Sequence, residues 1–324
     1  MGGIPLVCPS CRKRDDEGWS LFTVEAENES SWRCVGCEKR FPALGGIPLL
    51  VPHPASLVES DLVGAFAAIG ETSALAALAE SGTDADAVAR HLQHASTWLH
   101  AHYGDLVGHS EWGFHAFASA LGALPRCEAT VELGCGMGRG LTILSRHAER
   151  VVGVDLSLSA LRHARHVLSG EALPFARRVV GRHYEPALIP GELACDNVDL
   201  VAGDVLDPPL VPGIFDCVVA LNVFDNVRSP RDLIGVMDQL CTPGGRLVLA
   251  TPFAWQSGIV DDHQRFGGAD PAAALRELLE TGDGLGATYE IEDARELEWF
   301  LQPEARLRLS YTSLYLVARK RRES

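Results

Sequence analysis

Apolar and polar positions follow three different periods along the chain. Near its start, Trp19 to Val24 alternates with the period of two of a half-buried strand. Further on, Ala85, Val88, Leu92, Ala95 and Leu99 fall at i, i+3, i+7, i+10 and i+14, one stripe of an amphipathic helix that Gly104 ends. Ser56-x-x-Glu59 and Thr83-x-x-Asp86 have the spacing of capping boxes, and a further helix is predicted over Trp112–Leu121. From residue 126 onwards, short apolar runs alternate with helical periods. Thr130–Leu133, Val151–Asp155, Asn197–Val201, Phe215–Leu221 and Arg246–Ala250 read as strands. Helices follow at Leu141–His147 and Ser157–Ser169, after Ser229-Pro230 and after Asp270-Pro271, where a polar cap precedes proline at the first helical position. Two late strands, Thr288–Ile291 and Leu307–Ala318, close the pattern. Strands alternating with helices in this way predict an α/β fold with a mostly parallel, doubly wound sheet. The stretch from Gly170 to Cys195 is long for a helix-to-strand connection, and it reads as an exposed hairpin carrying Arg177, Arg178 and Arg182.

Composition narrows the class. The 324 residues, 47% hydrophobic and 22% charged, suit one large domain or two unequal ones and exclude a mainly disordered chain. No apolar run reaches the roughly 18 residues of a membrane span, and no basic-then-apolar leader opens the sequence, so a cytoplasmic protein without membrane contact is expected. The formal charge of −15 argues against a nucleic-acid partner, because a net negative field repels a polyanion. Residues 53–125 hold one basic and eight acidic residues, the most acidic balance in the chain. The expected division is a ribbon at 1–52, a helical cap at 53–125 and a catalytic sheet at 126–324.

Four of the nine cysteines form two knuckles, Cys8-x2-Cys11 and Cys34-x2-Cys37. Two such pairs supply the four thiolates of one tetrahedral structural zinc, and so short a segment needs metal to fold. Cys127, Cys135, Cys195, Cys217 and Cys241 are scattered singly, as small buried hydrophobes are. With the tail Phe41–Val51, residues 4–51 resemble the small zinc-ribbon family that activates tRNA and protein methyltransferases, members of which also precede bacterial methyltransferase domains.

The densest chemistry lies in Val131-Glu-Leu-Gly-Cys-Gly-Met-Gly138, a glycine loop between a strand and a helix, where the backbone turns sharply and a ligand can come close. Asp155 ends the next strand, where a carboxylate can accept from both ribose hydroxyls, and Asp204 ends the third. With Phe215-Asp216 to Asn222 and the turn Pro243-Gly244-Gly245, residues 126–251 resemble the class I S-adenosylmethionine-dependent methyltransferases. The resemblance implies a Rossmann-like sheet of seven strands and S-adenosyl-L-methionine as cofactor. It implies that Gly134, Cys135, Gly136 and Gly138 shape the methionine side and that Glu132 holds the loop or the methionine amine. Asp155 and Leu156 would bind ribose, and Asp204 and Val205 would flank adenine.

On the acceptor side, Asn222 could orient an amine or imidazole nitrogen, Asp225 could balance its charge or cap a turn, and His263 could serve as a base. Six of the twelve histidines lie between 91 and 115, where they read first as solvated or satisfied helix residues; the sharper alternative is that Trp98, His102 and Tyr103 form a lid over the cofactor. His94 and His102, two turns apart at roughly 12 Å, are too distant to share a metal. Three functions follow in order of fit: a methyltransferase acting on a small molecule or peptide, a zinc-ribbon RNA methyltransferase, and a non-catalytic S-adenosylmethionine-binding activator. The sequence leaves the oligomeric state open.

Overall fold

The computed structural model describes residues 3–15, 18–61, 72–81, 86–109 and 111–322. The N-terminal part is built from short antiparallel strands. β1 (Lys13–Asp15) pairs with β2 (Gly18–Ser20), and β3 (Val24–Asn28), β4 (Ser31–Cys34), β5 (Arg40–Leu44) and β6 (Ile47–Pro48) form a four-stranded meander. Among the described residues, the helices α1 (Pro54–Ser60), α2 (Thr72–Ser81), α3 (Asp86–Tyr103) and α4 (His115–Gly122) follow. Pro54 sets the start of α1, so Ser56 lies inside the helix and Ser56-x-x-Glu59 is not a capping box. Thr83 and Ala85 lie outside the described residues. The rest of the stripe holds, with Leu92, Ala95 and Leu99 buried on α3. Helix α4 begins at His115, three residues later than the pattern predicts.

The main sheet begins with β7 (Cys127–Leu133), α5 (Arg139–Leu144), β8 (Ala148–Asp155) and α6 (Leu158–Leu168). The antiparallel hairpin β9 (Leu173–Val180) and β10 (His183–Ile189) confirms the reading of residues 170–195. Then come β11 (Val198–Ala202), β12 (Phe215–Leu221), α7 (Pro230–Leu240), β13 (Cys241–Thr251), α8 (Pro271–Thr281), β14 (Tyr289–Glu304) and β15 (Leu307–Lys320). Their order is β11-β8-β7-β12-β13-β15-β14, a seven-stranded sheet in which β15 runs antiparallel to its two neighbours and the other pairings are parallel. This is the mostly parallel, doubly wound sheet expected from the strand–helix alternation, with the seven Rossmann-like strands that the resemblance implies. Ser157 caps α6 by accepting from the Ala160 amide, and Asp270 caps α8 by accepting from Ala273. Ser229 stands at the N-cap of α7, where Pro230 at the first position, rather than a side-chain bond, sets the start.

Strand β14 is four times longer than predicted, because pairing with β15 carries a charged, only partly alternating sequence into the sheet. The chain reverses its direction of winding between β7 and β12, which leaves a crevice beyond their C-terminal ends. The N-terminal strands close the opposite edge. Leu49 pairs in parallel with Ala202 of edge strand β11, the Leu50 amide donates to Ala202 O at 2.9 Å, and Leu6 bridges to Leu210. Ile4, Leu6, Phe41 and Leu50 share one core with Val154, Val201 and Leu210. Among the described residues, no helix is long and apolar enough to cross a membrane.

Candidate functional site

The loop after β7 is shaped by backbone that only glycine adopts readily. Gly134, Gly136 and Gly138 have φ of 73°, 51° and 84°. A Cβ on Gly134 would lie 2.3 Å from Val223, and one on Gly138 would lie 2.7 Å from Ala164, so close packing forbids side chains there as well. Asp155 locks the loop to the end of β8. Its Oδ2 accepts from the Gly136 amide and its Oδ1 from the Ser157 amide, both at 2.8 Å. Each of these oxygens keeps a further lone pair.

Beside the loop lies a cavity of about 730 Å³, within the range of small-ligand sites. It brings together most of the residues singled out in the sequence: Glu132, Gly134, Cys135, Gly136, Asp155, Leu156, Asp204, Val205, Asn222 and Asp225. Three do not line it. Gly138 caps α5 behind the loop. Tyr103 is fully buried and donates to Met137 O at 2.6 Å, so it braces the loop from behind and is not part of a lid. His263 is exposed on a short 3-10 turn, Asp262–Gln264, and lies away from the cavity, so its expected role as a base has no geometric support. Trp98 and His102 of α3 line the cavity.

Charge is distributed unevenly in this space. Glu132 is buried, one of its carboxylate oxygens has no partner, and burial together with the neighbouring Asp155 pushes its pKa up to about 8. Burial also raises Asp155. His102, buried and close to Arg139, is pushed down to about 3 and is therefore neutral. At the far end, Asp204 accepts from the Leu206 amide and from the Arg228 guanidinium, both at 2.9 Å. Arg228 also lines the cavity, a neighbour that spacing alone did not reveal.

The end beyond β12 and β13 is aromatic. Trp98, Phe114, Trp299 and Tyr311 line it. Trp299 and Tyr311 are cross-strand partners stacked at 4.6 Å, and Trp98 stacks on Trp299 at 6.4 Å. Asp225 is buried and accepts from the Thr251 hydroxyl at 3.3 Å and the Ala254 amide at 3.0 Å. It therefore ties down the loop after β13, a bond across two loops rather than the cap of its own turn that the sequence suggested. The arginines of the β9–β10 hairpin pair within the chain: Arg177 meets His109 and Arg178 meets Glu304 in half-buried contacts, and Arg182 meets Asp86 on the surface.

In the N-terminal strands, the Sγ atoms of Cys8, Cys11, Cys34 and Cys37 lie within 4.8 Å of one another. Cys8 to Cys37 is 3.9 Å and Cys11 to Cys34 is 3.8 Å. Four sulfurs about 2.3 Å from a central zinc stand about 3.8 Å apart, so the donor set fits such an ion. The amides of Gly36 and Cys37 point at Cys34 Sγ at 3.3 and 3.4 Å, an arrangement that stabilises a thiolate. None of the nine cysteines is in a disulfide.

Residues 131–249 match the family model described as "Methyltransferase domain", a little over a third of the chain. An uncharacterized 37.1 kDa protein in transposon TN4556 of Streptomyces fradiae is 30% identical over 145 residues, 44% of this chain and 34% of that one. A ubiquinone biosynthesis O-methyltransferase of Sodalis glossinidius is 26% identical over 136 residues, 40% of this chain and 45% of that one. The chain thus spans less than half the length of each of these relatives. Among solved structures, a complex of the Haloferax volcanii Trm112 methyltransferase activator with a methyltransferase is 16% identical. The match covers 74% of this chain and 96% of that one, with a TM-score of 0.46.

Proposed function

We propose that this chain is an S-adenosylmethionine-dependent methyltransferase that acts on a small molecule or peptide and carries a zinc-held N-terminal ribbon. One observation supports this reading above the others. The glycine loop, Asp155 and Asp204 come from the C-terminal ends of three different strands and meet on one cavity, inside the stretch that matches a methyltransferase domain. The open lone pairs of Asp155 suit two ribose hydroxyls, while Leu156, Asp204 and Val205 suit adenine. The unpartnered oxygen of Glu132 suits the ammonium group of the methionine part, which would return that carboxyl to its charged form. When bound, the donor supplies an electrophilic methyl group on sulfur. The chain's own task is to hold the two reactants in line, keep water out and leave the acceptor's lone pair free.

The four thiols suit a structural zinc, which would fold the segment up to residue 51. Residues 1–52, 53–125 and 126–324 serve on this reading as ribbon, helical cap and catalytic unit. A reducing, cytoplasmic setting accords with thiols kept out of disulfides. The −15 charge argues against the RNA methyltransferase alternative, and an intact glycine loop with both acids argues against a non-catalytic activator.

Titration calorimetry with S-adenosylhomocysteine tests this directly. The wild type should bind one equivalent, and Asp155→Ala should abolish binding; unchanged affinity in that variant removes the ribose assignment. A gel shift with RNA at low salt should show no complex.

A further inference from the structure

The hydrogen bonds around Asn222 dictate which way its amide faces. Trp299 Nε1 donates to Ser313 Oγ at 2.9 Å, and Ser313 Oγ stands 3.1 Å from Asn222 Oδ1. An indole N–H can only donate, so Ser313 accepts there and keeps one proton of its own to place. Ser313 is fully buried. If Asn222 turned its NH2 toward Ser313, that proton would have no acceptor in a dry site, at a cost of about 1–3 kcal/mol. Oδ1 therefore faces Ser313 and the NH2 faces the cavity that Asn222 lines. Among the described residues none accepts from this NH2, and it is not a buried orphan. The backbone is held equally firmly. The Asn222 amide donates to Ala250 O at 2.7 Å, Asn226 Nδ2 donates to Asn222 O at 2.9 Å, and φ is 55°, which asparagine tolerates better than most residues.

The same chain of bonds begins in the aromatic wall. Trp299 stacks with Tyr311 and with Trp98 and is the donor to Ser313. A wall of indole and phenol rings at this end suits a flat aromatic molecule, by offset or edge-to-face packing.

We propose that Trp299, Ser313 and Asn222 form a specificity device that selects a flat aromatic acceptor bearing a hydroxyl or carbonyl oxygen. The acceptor packs on the wall of Trp98, Trp299 and Tyr311, and its oxygen receives a hydrogen bond from the Asn222 NH2. Trp299 and Ser313 are positioning residues that fix the amide. Orienting an amine, the role expected for Asn222 from sequence, calls for the opposite face of the amide. The inference rests on the methyltransferase reading, because that reading makes this end of the cavity the acceptor site.

Calorimetry on protein saturated with S-adenosylhomocysteine tests it, using the matched probes 1-naphthol and 1-naphthylamine. The wild type should bind 1-naphthol tighter by about tenfold or more. Asn222→Asp keeps the shape and the bond to Ser313 but removes the donors, and should erase or invert the preference. Ser313→Ala frees the amide and should bring the ratio toward one while leaving S-adenosylhomocysteine affinity unchanged, which a general loss of packing would not do. Trp299→Phe keeps a ring but loses the N–H and should shift the ratio part of the way. Equal binding of the two probes by the wild type overturns the proposal, as does an undiminished preference in Ser313→Ala. If Asn222→Asp does not fold, the wild-type ratio and Ser313→Ala decide. A wild type that binds no S-adenosylhomocysteine overturns the underlying reading; one that binds it without preferring 1-naphthol overturns this inference alone.

Discussion

The N-terminal strands and helix α3 both precede the first strand of the main sheet, and they hold on to it in different ways. The strands join through backbone: Leu49 and Leu50 attach to edge strand β11 at its last residue, Ala202. They also reach the loop after β11, where the Arg12 guanidinium, almost wholly buried, bonds Asp207 at 2.7 Å and Pro208 O. That loop begins with Asp204 and Val205 at one end of the cavity. Helix α3 joins through side chains, with Trp98 on the aromatic end of the cavity and His102 beside Gly136 of the glycine loop. Backbone pairing fixes position without regard to side chains, whereas a side-chain wall can change shape by mutation. The proposed cofactor end is thus held by a frame that combines backbone pairing with the Arg12 contact and a shared core, whereas the aromatic end depends on side chains alone and is freer to specialise.

The largest expected effect comes from breaking the frame. Zinc removal by a chelator, or Cys34→Ser, should lower the melting temperature by about 10 °C and weaken S-adenosylhomocysteine binding through the Asp204 loop. An apo protein of unchanged stability would show that the thiols hold no structural metal. Trp98→Ala should weaken acceptor binding by about 2 kcal/mol, roughly 30-fold, with S-adenosylhomocysteine affinity unchanged. An equal loss at both ends would erase the contrast drawn above.

A pH series sharpens it further. Burial, and then the neighbouring Asp155, raise the pKa of Glu132 to about 8 from the ordinary carboxylate value of 4.5. The native state therefore holds an extra proton between those values, and its stability is full below the lower one and falls as pH rises through about 8. Thermal melts of the ligand-free protein should decline across pH 6 to 8. Glu132→Gln should flatten that decline, and the gain in melting temperature from S-adenosylmethionine should be larger at pH 8 than at pH 6. The smallest effect is expected for Asp207→Ala, which leaves the Arg12 guanidinium without its charged acceptor and should cost about 1–2 kcal/mol in chemical denaturation.

Much of the parallel sheet was legible because buried strands flanked by helices leave continuous apolar runs and glycine punctuation, as around β7 and β12. That Glu132, Gly134, Asp155 and Asp204 meet on one cavity was legible for the same reason: all sit at strand ends, where local spacing places them. Boundaries were less so. Trp112 and Ser56 looked like helix starts, but His115 and Pro54 are the ones the backbone uses. The acceptor end was barely legible. Trp299, Tyr311 and Ser313 reach it only through the register of β14 on β15, and β14 reads as a charged segment with little periodicity. Register is a tertiary property, so no local signal could have linked Ser313 to Asn222, 91 residues away. Tyr103 and His263 show the converse error. Both have the right chemistry, but one is buried behind the loop and the other stands out in solvent.

The parallel pairing of Leu49 with Ala202 also sets an order of events during synthesis. The partner strand lies about 150 residues further along the chain. At about 5–20 residues per second, it follows some 8–30 seconds after the ribbon. For that interval Leu6, Leu49 and Leu50 have no sheet to cover them. A metal that folds the ribbon early would keep its strands paired among themselves while they wait, so the thiolates would act in time as well as in space.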